Sequence, residues 1–195
     1  TFVTTPEVFE RAQVFMKSHG KKFVQEVVLA DEATVPADWT LPLPGEHNRR
    51  NVGLARAALH AAGIEDEVIR AGVETFRGLP GRLEFLGEYH GVKVYNDNNA
   101  TTPDATIAAL RALDTKEKNI VLIMGGDDKN LDMSELLAEI PKACSKVVLF
   151  KERGTDRIRD AVFAMADQGI EVYEEEGLLA AVERAFGIVL PGETL

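Results

Sequence analysis

Short, mostly apolar runs recur in the second half of the chain, about every 25 residues after the first two, which is typical of strands separated by helices. They lie at residues 83–86, 92–95, 120–124, 147–150 and 170–173. The first two flank Glu88-Tyr-His-Gly91 and predict a hairpin. The later runs alternate with helical patterns, and right-handed crossovers then predict a mostly parallel, Rossmann-like α/β sheet with helices on both faces.

Helix starts can be read between these runs. Thr102 and Pro103 suit the N-cap and first helical position, because proline lacks the N–H that would be unpaired there. Asp132 and Glu135 resemble a capping box. Thr155 is predicted to cap a helix whose apolar face is formed by Ile158, Ala161, Val162 and Met165.

The first part of the chain is less regular. Helices are predicted at 6–18, 48–62 and 65–76, and a strand at 24–30. Asn48 suits an N-cap position. The glycines and proline of Gly78-Leu-Pro-Gly81 predict a domain boundary, with one domain at 1–79 and the other at 80–195. Residues 189–195 resemble a turn leading into a strand beyond them, so the second domain is expected to be incomplete.

Composition narrows the class of protein. Of 195 residues, 45% are apolar and 28% charged, as in soluble globular proteins. The net charge of −10 argues against binding to nucleic acid or an anionic membrane. The chain has no signal peptide and no run of about 18 apolar residues, so a cytoplasmic protein is expected. A monomer is also expected. The single cysteine, Cys144, excludes an intrachain disulfide and reads as a buried apolar residue rather than a nucleophile.

Ligands of such sheets bind at the carboxyl ends of the strands. Three loops are predicted there: the first loop (96–102), the second loop (125–131) and the third loop (151–155). In the first loop, Asp97 could accept hydrogen bonds from a ribose, and Thr101 and Thr102 with the free helix N–H groups could bind an anion. A solvated turn rich in Asx motifs is an equal alternative.

The second loop contains Gly125-Gly-Asp-Asp-Lys129. Paired glycines let backbone approach a ligand closely, and Lys129 is a cation beside two aspartates; a plain turn is the simpler alternative. No Walker A motif occurs in the chain, nor any His, Cys and carboxylate spacing typical of a metal site. Arg82 could bind phosphate or ribose, or form an interdomain ion pair.

Four segments, in this order, resemble the Mur ligase family: Gly45-Glu-His-Asn-Arg-Arg-Asn51, Phe76-Arg-Gly-Leu-Pro-Gly-Arg-Leu-Glu84, Tyr95-Asn-Asp-Asn-Asn-Ala-Thr101 and Gly125-Gly-Asp-Asp-Lys129. The resemblance covers about residues 20 to 195 and is strongest to the D-glutamate-adding members. It implies that residues 1–79 are the tail of a central ATP-binding domain. Residues 80–195 would be a Rossmann-like carboxyl-terminal ligase domain.

The resemblance also implies a reaction. ATP phosphorylates the carboxylate of UDP-N-acetylmuramoyl-L-alanine, and the amine of D-glutamate attacks the acyl phosphate in peptidoglycan precursor synthesis. The P-loop and the Mg²⁺ ligands of the family lie in the part of the enzyme that precedes these segments. We therefore expect no catalytic residue and no metal ligand in this chain.

Particular residues match the family's binding positions. The implied contacts to ATP are Asn48, Asn51, Arg82 and Asp97. The implied contacts to the amino acid are Asn99, Thr101 and Lys129. Asn99 stands where D-glutamate members usually have lysine, so a sister Mur ligase or a folylpolyglutamate-synthase-like ligase with another amino acid remains an alternative. A noncatalytic nucleotide-binding module is the alternative from another class.

Overall fold

The computed structural model describes residues 1–113 and 116–195. They form two compact units that divide between Arg77 and Gly78, just before the predicted boundary. No helix among these residues is both long enough and apolar enough to cross a membrane.

The first unit is built on two short parallel strands, β1 (Phe2–Thr4) and β2 (Val27–Leu29). Its helices are α1 (Pro6–Ser18), α2 (Glu46–Ala61) and α3 (Asp66–Thr75), with a 3-10 turn at Glu32–Thr34. Val35, Trp39 and Ile69 form its small buried core.

The start of α2 differs from the prediction that Asn48 is its N-cap. Gly45 is the N-cap, and its φ of 94° lies in a region that glycine adopts readily. The helix therefore begins at Glu46, which places Asn48 in the first turn. There the Asn48 side-chain amide donates to the Pro44 carbonyl at 2.7 Å instead of accepting from a helix N–H.

The second unit contains an antiparallel hairpin, β3 (Glu84–Tyr89) and β4 (Val92–Asn96), and a parallel sheet in the order β5-β6-β7. These strands are β5 (Ile120–Met124), β6 (Cys144–Phe150) and β7 (Glu171–Glu175). The helices are α4 (Pro103–Leu113), α5 (Ser134–Ala143), α6 (Arg153–Asp156), α7 (Arg159–Phe163) and α8 (Leu178–Ile188).

The last three residues, 193–195, join the hairpin to the parallel sheet. The Leu195 N–H donates to the Lys93 carbonyl at 2.8 Å, and the Val121 N–H donates to the Thr194 carbonyl at 2.8 Å. This terminal strand thus runs parallel to β4 and β5 and lies between them. The expectation that residues 189–195 only lead towards a later strand was wrong, because a tight turn at Leu190–Glu193 starts the strand within the chain.

Helices cover both faces of this sheet. On one face, α4, α5 and α7 pack on β6 through a buried cluster that includes Ile107, Leu110, Leu136, Ile140, Val147, Leu149 and Val162. On the other face, Ala181 and Ala185 of α8 pack against Val121 and Val148. The strand residues alternate between the two clusters, as a pleated strand requires. The predicted Rossmann-like α/β architecture is confirmed.

Two predicted helix starts in the second unit were also wrong. Met133 is the N-cap residue of α5 and makes no side-chain cap, while the Asp132 carboxylate accepts from Ser134 in a local turn. Thr155 is not an N-cap but the third residue of α6, where it forms a capping box with Glu152. The helix predicted to follow Thr155 is divided into α6, α7 and a 3-10 turn at Ala164–Gln168.

Candidate functional site

The three predicted loops lie at one edge of the second unit's sheet, because β4, β5 and β6 run parallel and their carboxyl ends coincide. Hydrogen bonds connect the loops. The Lys129 ammonium in the second loop donates to the Thr101 carbonyl in the first loop at 3.3 Å. The Gly154 N–H in the third loop donates to the Gly126 carbonyl at 3.0 Å.

Asn99 attaches the first loop to the segment that precedes β3. Its N–H donates to the Gly81 carbonyl and its side-chain amide to the Pro80 carbonyl, both at 3.0 Å. The Arg82 guanidinium, which is exposed, donates to the Asn99 carbonyl at 3.3 Å. The structure thus brings together Arg82 and Asn99, two predicted site residues that are distant in sequence.

Asp97 supports an unusual backbone conformation in the same segment. Leu83 is buried and has a φ of 46°, a left-handed value that few non-glycine residues adopt. Its N–H donates to the Asp97 carboxylate at 2.8 Å. Asp97 therefore has a structural partner in addition to the ribose contact that the sequence predicts.

Glu84 and Asn96 also belong to this cluster, and sequence reasoning missed them. The Glu84 carboxylate accepts from the Gly81 N–H at 2.8 Å and from the Asn96 amide at 3.3 Å. The available signal was Gly81 itself. Its φ of 69° lies in the left-handed region that favours glycine, and a Cβ there would lie 2.1 Å from the Asn98 side-chain oxygen, which would have to shift.

Gly125 of the second loop and Gly154 of the third loop lie where the chain packs closely. A Cβ on Gly125 would lie 2.6 Å from the Phe150 ring, and one on Gly154 would lie 2.6 Å from the Gly126 carbonyl oxygen. The second and third loops are therefore in close backbone contact. The sequence indicated that the paired glycines of the second loop allow a ligand to approach closely. In the structure the group closest to Gly125 is the Phe150 ring of β6, and a Cβ on Gly126 would meet nothing within 4 Å.

Two arginines missed by sequence reasoning neutralise the aspartates of the second loop. Arg153 pairs with Asp127 at 2.9 Å, and Arg157 pairs with Asp128 at 2.7 Å. The Asn130 N–H and, after it, the Arg157 guanidinium hold the pKa of Asp128 below its ordinary value. Across the described ranges, Lys129 forms no ion pair.

Asn48 and Asn51 belong to the first unit and lie one helical turn apart on the same face of α2. Asn51 is exposed and Asn48 is half-buried. The other five predicted residues all belong to the second unit. Within residues 1–113 and 116–195, no group of three or more His, Cys, Asp or Glu side chains could hold a metal ion.

The first loop carries a cation on each side. Arg82 binds the Asn99 carbonyl, and Lys129 binds the Thr101 carbonyl two residues further along. Both cations are exposed, as are Asn99 and Thr101. Exposed cations beside amide and hydroxyl groups suit the binding of carboxylate and phosphate oxygens.

A family model described as "Mur ligase, glutamate ligase domain" matches residues 81–195. The UDP-N-acetylmuramoylalanine--D-glutamate ligase of Caldanaerobacter subterraneus subsp. tengcongensis is 33% identical over 153 residues, covering 78% of this chain and 33% of the relative. The UDP-N-acetylmuramoyl-L-alanine--L-glutamate ligase of Xanthomonas euvesicatoria pv. vesicatoria is 31% identical over 176 residues, covering 89% of this chain and 36% of the relative. The chain thus spans about a third of the length of these relatives.

Solved structures show the same fold. The UDP-N-acetylmuramate-alanine ligase of Thermotoga maritima matches with a TM-score of 0.62 at 23% identity, covering 79% of this chain and 34% of that protein. The Mycobacterium tuberculosis folylpolyglutamate synthase complexed with ADP matches with a TM-score of 0.59 at 24% identity, covering 77% of this chain and 35% of that protein.

Proposed function

The chain belongs to the Mur ligase family, and from that premise we propose that it is part of an ATP-dependent, amide-forming ligase. The proposed substrates are UDP-N-acetylmuramoyl-L-alanine, D-glutamate and ATP, and the product is a peptidoglycan precursor. Residues 1–79 would be the tail of the central ATP-binding domain, and residues 80–195 the carboxyl-terminal domain. The support is the match to D-glutamate ligases together with the cations beside the first loop.

Lys129 carries the proposed contact to glutamate. A side-chain carboxylate needs a cation, and Lys129 is an exposed ammonium whose one hydrogen bond within the described residues is to a backbone carbonyl. Asn99 and Thr101 lie on the same loop and would contact the same amino acid. A bound carboxylate would replace the Thr101 carbonyl as the partner of Lys129.

Four residues are proposed to contact ATP. The Arg82 guanidinium suits phosphate oxygens, and the Asp97 carboxylate suits a ribose hydroxyl. The side-chain amides of Asn48 and Asn51 can donate and accept, as an adenine edge requires. Mg²⁺, when bound, would neutralise the phosphate charge during acyl phosphate formation, and we propose that its ligands lie outside this chain.

L-glutamate is a second candidate for the amino acid. The L-glutamate ligase of Xanthomonas euvesicatoria covers 89% of this chain, against 78% for the D-glutamate ligase of Caldanaerobacter subterraneus. Asn99 stands where the D-glutamate members usually have lysine, so this residue does not favour D-glutamate over L-glutamate.

The test uses the full-length protein with ATP, Mg²⁺ and UDP-N-acetylmuramoyl-L-alanine. Phosphate release should be stimulated by D-glutamate. Stimulation by L-glutamate alone would support the second candidate. If neither enantiomer stimulates phosphate release, the proposed function is wrong.

Lys129→Ala tests the proposed glutamate contact. Loss of a charge-assisted hydrogen bond of about 1.5–3 kcal/mol should raise the KM for glutamate by roughly tenfold or more. The KM for ATP should change less. Lys93→Ala, at an exposed lysine on β4, is the matched control and should leave both constants unchanged.

A further inference from the structure

We infer that Arg157 is a positioning residue that holds the second loop so that Lys129 is presented to the incoming amino acid. The inference rests on the proposed function of Lys129. Arg157 lies outside the second loop. Its guanidinium contacts Asp128 and is not proposed to contact the amino acid itself.

Asp128 is the centre of the arrangement. The same carboxylate oxygen accepts from the Asn130 N–H and from the Arg157 guanidinium, both at 2.7 Å. Asn130 has a φ of 52°, so the chain turns sharply just after Lys129. The carboxylate therefore fixes the residues on both sides of Lys129 and connects them to Arg157.

The segment that carries Arg157 is itself well anchored. Thr155 and Ile158, on either side of it, are 3% and 4% exposed. Three successive residues of the second loop are held by this segment. The Gly126 carbonyl accepts from the Gly154 N–H, Asp127 pairs with Arg153, and Asp128 pairs with Arg157. Lys129 is the next residue, so the pairing of Asp128 with Arg157 fixes the backbone position from which the Lys129 side chain extends.

Charge provides a second reason. The Asp128 carboxylate is adjacent in sequence to Lys129 and, without Arg157, would attract the Lys129 ammonium. Arg157 satisfies this carboxylate and leaves Lys129 to donate towards the first loop. Loss of Arg157 should therefore both loosen the loop and place a competing anion beside Lys129.

Solvent exposure separates this role from a merely structural one. The side chains of Arg157 and Asp128 are 43% and 31% exposed. Ion pairs this exposed contribute little to global stability. Removing Arg157 should thus change glutamate binding while the urea midpoint of unfolding stays close to that of the wild type.

The experiment measures steady-state kinetics of the full-length enzyme carrying Arg157→Gln, Lys129→Ala, or both. Arg157→Gln should raise the KM for glutamate about threefold to fivefold, with kcat and the KM for ATP within about twofold. Arg157→Lys should restore part of the loss. Arg159→Gln, which removes an arginine paired with Glu174 away from the second loop, is the matched control and should behave as the wild type.

The double variant decides how Arg157 acts. If Arg157 works through Lys129, then Arg157→Gln should have no further effect on glutamate KM in the Lys129→Ala enzyme. An equal increase in both backgrounds would overturn the inference, as would an unchanged KM in Arg157→Gln alone. Should Lys129→Ala itself leave the glutamate KM unchanged, the proposed role of Lys129 fails, and the inference fails with it.

Discussion

Gly154 decides how closely the third loop approaches the second. A side chain there would meet the Gly126 backbone carbonyl at 2.6 Å, and a backbone atom cannot move aside as a flexible side chain can. We predict that Gly154→Ala lowers the free energy of unfolding by about 1–3 kcal/mol, as overpacking commonly does. Urea denaturation followed by circular dichroism measures it.

Gly187→Ala is the matched control. Gly187 lies within α8, and a Cβ there has open space around it. Because alanine is the better helix former, the free energy of unfolding of this variant should rise by about 0.5–1 kcal/mol. A Gly154→Ala midpoint equal to that of the wild type would contradict the packing argument.

At the residue scale, sequence reasoning recognised polar residues that directly follow strands, such as Asp97 and Lys129. It missed Arg157 and Glu84, whose roles depend on partners in other loops. Asp128 and Arg157 meet only because β5 and β6 are adjacent and parallel. Neither their spacing nor their type predicts that contact.

At the scale of single elements, the terminal strand is held by a buried ion pair. The Lys146 ammonium, on β6, donates to the Glu193 carboxylate, and their side chains are 6% and 12% exposed. Burial raises the pKa of Glu193, but Lys146, the Leu190 N–H and the Ser145 hydroxyl together keep it below its ordinary value. The carboxylate is thus ionised at neutral pH.

We predict that Glu193→Leu lowers the free energy of unfolding by about 3–5 kcal/mol, because it leaves Lys146 buried without its partner. The double variant Lys146→Met/Glu193→Leu should recover most of this loss, since two apolar side chains can pack together. Urea denaturation of both variants measures the difference. A double variant as unstable as the single one would show that the charge pair is not the cause.

Apolar runs identified the longer strands correctly but not the terminal one. It has three residues, of which only Leu195 is apolar, so no alternation can be seen. For a related reason β6 begins at Cys144, earlier than predicted: Lys146 reads as a solvent-exposed residue, and only pairing with Glu193 allows its burial.

At the scale of the whole molecule, one strongly acidic carboxyl group in each unit predicts acid sensitivity. Arg56 first, and then His60, lower the pKa of Asp66 in the first unit to about 2. Arg111 first, and then Lys142, lower that of Glu139 in the second unit to about 2. Both pKa values lie below those of the same groups in the unfolded chain. The ionised carboxylates therefore stabilise the folded state fully above about pH 5, and this stabilisation is lost as the pH falls towards 2.

Tryptophan fluorescence reports on the first unit. Trp39, the single tryptophan, lies in the core of the first unit, with Arg56 over its ring at 5.6 Å. Asp66→Asn should flatten the pH dependence of the urea midpoint seen by tryptophan fluorescence, whereas Glu139→Gln should not. If the Asp66→Asn variant kept the wild-type pH dependence, the ion pair between Asp66 and Arg56 would not be the source of the acid sensitivity.

The terminal strand also has a consequence for how the chain folds. Lys93 and Val121 are synthesised well before Thr194, yet their hydrogen bonds to the terminal strand join the two parts of the sheet. Closing such long loops is entropically costly and slows folding. A nascent chain must therefore keep the exposed edges of β4 and β5 from aggregating until residues 193–195 have left the ribosome.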